Sequence, residues 1–312
     1  KAGCFTDIRT CVGCLHGCDA NVNLEQSGTC ELNPIIGHES EAEYQTVMTD
    51  SPKNVLVIGA GPAGLEAAIG AAKRGHRVSV YDKDRWAGGK YRLASVPPCK
   101  GELGAFIVWQ MHELKKLNVP VILNTVVTKE LVDSVKPDVI IAATGTTPVV
   151  PRKIPGWDKD IVVLGTDVLS GKANTGHNVV VIGGGHAGAE TANHIASYMK
   201  NVTIVELQED IAMDEVDTPR NALLADLEKN KVRVCASTSV SEIKDHSVVV
   251  SGKFNEEIEC DTVVISIGHT PNTALADELI QAGYDVRIIG DAVKVGLVGP
   301  AVRAGYLTAR QI

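Results

Sequence analysis

The sequence has no surplus of positive charge: 30 Lys and Arg stand against 38 Asp and Glu, a formal net charge of -8. A nucleic-acid binder needs a basic surface to neutralise phosphates, so that class of partner is not expected. There is no run of 18 consecutive apolar residues to span a bilayer, and no signal-like apolar stretch opens the chain. These absences predict a soluble, cytoplasmic protein without a membrane partner. After residue 50 there is also no Cys-x2-Cys or Cys-x4-Cys pair. Dithiol–disulfide exchange therefore has no obvious redox pair in the larger part of the chain.

What is present is enough for two ordinary cores: 312 residues, 44% of them hydrophobic. That is short for three full domains, so two domains with an appendage are expected. The chain begins at Lys1 and reaches Gln311-Ile312 within a helical pattern that follows Pro300, which suggests a piece of a longer polypeptide. Residues 1–50 carry little strand or helix periodicity but many Cys, Gly and Asn, as though wrapped around something other than a hydrophobic core. Eight cysteines are present, five of them within the first 30 residues. So uneven a distribution does not suit a disulfide framework and favours metal ligation in a reducing compartment.

From Lys53 the texture changes. Residues 55–58 (Val-Leu-Val-Ile) read as a buried parallel strand, 59–64 as a turn, 65–74 as a helix and 77–81 as the next strand, a complete βαβ unit. Gly59-Ala60-Gly61-Pro62-Ala63-Gly64 fits G-x-G-x-x-G in its required place between strand and helix. Gly59 permits the turn, Gly61 lets the backbone approach a pyrophosphate, and Gly64 allows the helix to pack on the strand. Asp82 closes the second strand, where a carboxylate accepts ribose hydroxyls. Dinucleotide binding follows from strand, loop, helix and acid together.

The pattern recurs 124 residues later as strand 178–182, turn 183–188, helix 189–199 and strand 202–205. Its loop is Gly183-Gly184-Gly185-His186-Ala187-Gly188, and Glu206 takes the position of Asp82. A carboxylate there repels a 2'-phosphate and accepts a ribose diol, so NADH is favoured over NADPH, with Gln208 nearby and no adjacent Arg. Glu190, on the first turn of the helix, can reach the nicotinamide ribose or carboxamide; a solvated helix residue is the plainer alternative. His186 reads as a loop residue rather than a catalyst. The repeat predicts an α/β fold with two doubly wound Rossmann-like domains. Apolar strands ending at Gly145 and Gly268, each followed by a proline turn at Pro148 or Pro271, mark the crossings between them.

Cys11-x2-Cys14-x3-Cys18-x11-Cys30 puts three thiolates on one loop and a fourth on its return. The set suits a [4Fe-4S] cubane, while structural zinc, which also takes four thiolates, is the rival. Flavin and nicotinamide sites in the same chain would give an electron-transfer centre partners. Cys4 reads as a bystander, and Cys235 and Cys260 as small hydrophobes in strand-like runs.

Taken together, these motifs resemble the C-terminal part of 2,4-dienoyl-CoA reductases, 2-enoate reductases and related NADH:flavin oxidoreductases of the old yellow enzyme class. The likeness rests on Asp7-Ile8-Arg9-Thr10-Cys11-Val12-Gly13-Cys14, the remaining cysteine spacing with Glu31-Leu32-Asn33-Pro34, both glycine loops, Gly88-Gly89-Lys90, Ala143-Thr144-Gly145 and Ile289-Gly290-Asp291. It implies an iron-sulfur segment over 1–50, an FAD-binding domain split into 51–150 and 269–312, and an NAD(P)H-binding domain over 151–268. It also implies that Gly59, Gly61, Ala63, Gly64, Asp82 and Lys83 hold the adenosine side of FAD. Gly89 and Arg92 would lie along its pyrophosphate or isoalloxazine side, with Thr144, Gly145, Gly290 and Asp291 completing the flavin site. Asp291 would meet the ribityl chain, its alternative being a cap or turn residue. Gly183, Gly185, His186, Ala187, Gly188, Glu190 and Glu206 would serve NADH, and Cys11, Cys14, Cys18 and Cys30 the cluster.

By the same resemblance the catalytic residues belong to an FMN-binding TIM barrel, on this polypeptide or a separate subunit, and the assembly is a homo-oligomer. NADH would reduce FAD, and electrons would pass through the cluster to FMN, which reduces an activated C=C bond. Two other functions stay open at this point. One is an amine dehydrogenase of the trimethylamine dehydrogenase type, with ADP in place of FAD, in which the interval corresponding to Cys14–Cys18 is usually x2 rather than x3. The other is a non-enzymatic sensor that binds a dinucleotide and zinc.

Overall fold

Runs of β-branched residues buried on both faces set the strands, as expected for parallel sheets sandwiched between helices. In the computed structural model, which describes residues 4–312, Val55, Leu56, Val57 and Ile58 are all buried within the strand Asn54–Ile58. This strand lies between Arg77–Tyr81 and Val139–Ala142, parallel to both, with Val55 opposite Val78 on one side and Val139 on the other. Val121–Ile122 and Val286–Ile288 extend the sheet at its two edges.

The chain divides into two compact units. The first comprises Lys1–Arg92, Glu102–Thr147 and Thr270–Ile312, and the second Leu93–Gly101 and Pro148–His269. Residues 93–101, which the boundaries drawn from sequence group with the FAD-binding part, therefore pack with the second unit. An ion pair between Lys100 and the buried Glu190 holds them there.

In the first unit the helix Pro62–Lys73 packs against Gly104–Lys116 and Val298–Thr308, covering one face of the sheet. Leu56, Ile58 and Ile140 meet Val127, Val132 and Leu279 on the other face. The second unit repeats the plan. Its parallel strands run in the order Val162–Leu164, Thr262–Ile265, Asn178–Ile182, Asn201–Val205, Arg233–Cys235. One face carries the helix His186–Ala196, through Ala189, Ala192 and Ile195. An antiparallel layer formed by Thr238–Ile243, Ser247–Gly252 and Glu256–Glu259 covers the other, through Ile243, Val248, Val250 and Ile258. The sequence motifs do not anticipate this layer.

The cysteine-bearing segment has no strand between residues 4 and 50, only the short helical turns Phe5–Asp7, Asp19–Asn23 and Ala42–Tyr44. Contrary to the reading from composition, it is not detached from a hydrophobic core. Val12 and Leu32 enter the core of the first unit, with Cys14 and Cys30 packed against it. Arg9 fastens the segment down. Its guanidinium donates to the Glu66 carboxylate at 2.9 Å and to the Leu32 carbonyl at 2.5 Å, and lies 3.9 Å from the centre of the Trp109 ring. Further on, Tyr44 stacks between His38 and Tyr306, with centroids 4.4 and 5.8 Å away.

Helix boundaries differ from the sequence expectations in one direction. Both glycine-loop helices start earlier, at Pro62 and His186 rather than at 65 and 189, and end earlier, at Lys73 and Ala196. The reason is that the third glycine of each loop already lies within the first helical turn. The last helix ends at Thr308.

Candidate dinucleotide sites and cysteine segment

In the first unit the expected flavin residues follow the C-terminal ends of four adjacent parallel strands. Gly59 follows Asn54–Ile58, Asp82 follows Arg77–Tyr81, Thr144 comes after Val139–Ala142, and Gly290 after Val286–Ile288. The crevice at the carboxyl ends of strands is where doubly wound sheets bind ligands. Gly59 has φ +109°, and a Cβ there would run into the Ala143 carbonyl, so no other residue turns the chain this tightly. By contrast, a Cβ on Gly61 would meet no protein atom within 4 Å, which leaves its backbone approachable.

Asp82 is set by its own loop: one carboxylate oxygen accepts the Ala60 N–H at 2.6 Å and the other the Asp84 N–H at 2.8 Å. Each oxygen keeps a second lone pair for a ribose hydroxyl. Lys83 beside it is exposed. Gly89 opens the helix Gly89–Ala94, where a Cβ would come 3.4 Å from the Gly61 Cα, and a Cβ on Gly290 would come 2.9 Å from the Ala63 Cβ. Asp291 is not a cap but an ion-pair partner, 2.9 Å from Lys90 Nζ. The Thr144 hydroxyl donates to the Asn272 carbonyl at 2.5 Å, and Gly145 takes φ +65°. Arg92 stands on the same short helix as Lys90.

The second unit repeats this geometry. Gly183 has φ +100° over the Ser266 carbonyl, and Gly188 packs against Gly183 as Gly64 does against Gly59. Glu206 accepts the Gly184 N–H at 2.5 Å and the Gln208 N–H at 2.7 Å. The difference lies at the third loop position, where the carboxylate of Asp214 stands 3.5 Å from a Cβ on Gly185. Asp214 also binds His186, which is the first residue of the helix rather than a loop residue. Their hydrogen bond raises the His186 pKa and lowers that of Asp214 to about 2. Ala187 is exposed on the first turn, and its carbonyl accepts from Thr191. Glu190 is buried and paired with Lys100, so it is not a solvated helix residue. Neither Asp214 nor Lys100 carries a sequence signal, because each is brought to the loop by folding from a distant position.

Cys11 and Cys18 are exposed, while Cys14 and Cys30 are half-buried. Gly13 N–H points to the Cys11 sulfur at 3.4 Å. Among the described residues no three His, Cys, Asp or Glu side chains converge as around a single metal ion. A cubane differs from a mononuclear site in taking one thiolate per iron, so its four sulfurs need not meet at one point. The donor set fits such a group. So does the hydroxyl of Tyr91, which is enclosed and without a hydrogen-bond partner among the described residues, on the core that Cys14 and Cys30 also pack against. Cys235 and Cys260 lie in the core of the second unit, where burial raises both thiol pKa values, that of Cys260 to about 11.

Comparison with known proteins places this architecture. The sequence profile of the pyridine nucleotide-disulphide oxidoreductases matches residues 53–291. The chain belongs to that family. Membership carries oxidoreductase character and the binding of FAD and NAD(H). Among curated relatives, an NADH oxidase of Thermoanaerobacter brockii is 38% identical over 323 residues, covering 100% of this chain and 49% of the relative. A cinnamate reductase of Clostridium sporogenes is 35% identical, covering 99% of this chain and 46% of the relative. The structure of a 2-naphthoyl-CoA reductase with 2-naphthoyl-CoA superimposes with a TM-score of 0.95 at 32% identity, over 98% of this chain and 47% of that one.

This family member thus spans about half the length of the curated relatives it matches. The resemblance to enoate-reductase-like enzymes drawn from the motifs agrees with these matches. Among the described residues no helix is long and apolar enough to cross a membrane.

Proposed function

We propose that this chain is the electron-input half of an NADH-dependent flavoenzyme that reduces an activated C=C bond. The observation that carries the reading is the duplicated loop. Two glycine turns, each closed by a carboxylate hydrogen-bonded to the loop backbone, give one chain two dinucleotide sites. When bound, FAD would take a hydride from NADH, and a [4Fe-4S] cluster would hand the electrons on singly to FMN in a TIM-barrel partner. Gly59, Gly61, Gly64 and Asp82 hold the adenosine side of FAD, and the N-terminus of Pro62–Lys73 faces its phosphates. Lys90 and Asp291 fix each other beside that loop. Gly183, Gly185, Gly188 and Glu206 serve NADH, and Glu206 excludes a 2'-phosphate by charge. Cys11, Cys14, Cys18 and Cys30 supply one thiolate per iron. The half-length coverage of reductase-named relatives supports a barrel that completes the enzyme.

A second reading draws on amine-oxidising matches, among them a 6-hydroxypseudooxynicotine amine oxidase from Pseudomonas geniculata N1, at 27% identity and a TM-score of 0.86 over 97% of this chain and 49% of that one. In that reading ADP fills the first site and NADH does not react. Anaerobic purification, a visible spectrum, and iron, sulfide and zinc analysis followed by NADH addition test both. Iron, sulfide and a flavin band that NADH bleaches are expected. Iron with no bleaching favours the amine-oxidising type, and zinc without iron overturns the cluster.

A further inference from the structure

Tyr91 combines three features that the flavin and nicotinamide sites leave unexplained. Its hydroxyl oxygen is enclosed by protein and has no hydrogen-bond partner among the described residues. Its ring is held in place, meeting Phe106 edge-to-face with centroids 6.0 Å apart. It packs on the same core as Cys14 and Cys30. The hydroxyl proton is held more tightly than usual, first by burial and then by the negative charges of Cys14, Glu31 and Cys30. Glu31 is already engaged, with one carboxylate oxygen accepting the Gly299 N–H at 2.7 Å. An enclosed O–H donor with no acceptor is costly, and Cys14 and Cys30 pack against the same core as the Tyr91 ring.

We propose that Tyr91 donates its hydroxyl hydrogen bond to a sulfur of the cluster held by Cys11, Cys14, Cys18 and Cys30, and thereby raises the reduction potential of that cluster. The proposal rests on the cluster assignment made above. Its physical basis is that reduction adds one electron to the cluster, and a donor aimed at sulfur stabilises the more negative form. Throughout, the proton stays on the tyrosine oxygen and no bond to it breaks. Tyr91 is thus a tuning residue rather than a catalytic one. Its place on the helix Gly89–Ala94, next to Lys90, puts the cluster's donor and the ion pair with Asp291 on one short element.

The Tyr91→Phe substitution removes a single oxygen that has no hydrogen-bond partner among the described residues, so folding is expected to be retained. The chain and its Tyr91→Phe variant would be purified anaerobically, assayed for iron and sulfide, and titrated by EPR-monitored potentiometry. Electron–nuclear double resonance of the reduced cluster would be compared in H2O and D2O. The expected result is unchanged iron content, a midpoint potential shifted to a more negative value, and loss of one exchangeable proton coupling. A variant with wild-type thermal stability that no longer retains iron overturns the tuning role, since the hydroxyl would then retain the cluster rather than set its potential. Full iron content with an unmoved potential and an unchanged proton spectrum overturns the tuning role while leaving the cluster in place. Wild-type protein that binds no iron overturns the cluster assignment itself, and Tyr91 with it.

Discussion

Asp214 holds His186 twice: one carboxylate oxygen accepts its backbone N–H and the other its ring Nδ1–H, both at 2.7 Å. Because His186 opens the helix of the second glycine loop, this carboxylate sits where a helix N-terminus welcomes an anion. In the first loop no atom of the described residues comes within 4 Å of a Cβ on the equivalent Gly61.

Asp214 therefore competes with a dinucleotide pyrophosphate for the same dipole. Asp214→Asn is expected to tighten NADH binding by about two- to fivefold at low ionic strength, the range set by one charge at a helix terminus. Fluorescence titration of NADH checks it. Weaker binding would mean that Asp214 orders the loop for the ligand instead.

The same pair makes stability depend on pH. The His186 pKa is raised above 6.5, so its contribution is complete below 6.5 and is lost as pH rises through the raised value. The Asp214 pKa falls from 3.8 to about 2, so its contribution is present above 3.8 and disappears only as pH drops through about 2. Thermal melts from about pH 5 to about pH 9 should show an alkaline decline that Asp214→Asn reduces.

Glu206 accepts two backbone amides of its own loop, and the proposed function also gives it the ribose diol of NADH. Glu206→Ala is expected to weaken NADH by about tenfold or more, since hydrogen bonds to a charged acceptor are among the stronger ones. NADPH binding should fall less. Equal losses in paired titrations would show that the 2'-hydroxyl is read elsewhere.

Glu66 is buried and its partner Arg9 half-buried, with side chains 2% and 17% exposed. Arg9→Met leaves a carboxylate enclosed without its counter-charge, at a cost of about 3 kcal/mol. Arg9→Met combined with Glu66→Gln should recover most of that loss, because the stranded charge is then gone. Urea unfolding of the single and double variants measures the difference.

Of the cysteines, Cys18→Ser is expected to reduce or abolish bound iron, and Cys235→Ser to leave it intact. Cys235 is fully buried in the second core, so its substitution should lower thermal stability instead. Iron analysis and melting curves on both variants separate the two roles.

How far the fold was legible depended on whether a constraint was local. Gly59 and Gly183 must turn tightly after a buried strand, Gly64 and Gly188 must let a helix approach it, and Asp82 and Glu206 must end the next strand. All of these act within about thirty residues, so spacing exposes them. The four-cysteine spacing is local in the same way. The antiparallel layer over the second sheet was missed because its short strands carry no motif and acquire their purpose only by covering Val180 and Ile182.

The sequence by itself determined two α/β nucleotide-binding units, the carboxylate closing each loop, and a cysteine-rich appendage. Only the tertiary structure decided what stands against these parts. It brought Asp214 onto His186, Lys100 onto Glu190, Lys90 onto Asp291 and Arg9 onto Glu66, and it left the Tyr91 hydroxyl enclosed on the core that Cys14 and Cys30 also pack against. The physical reason is that charge pairing and burial join residues far apart along the chain or on opposite sides of a turn. Local periodicity carries no record of such partners.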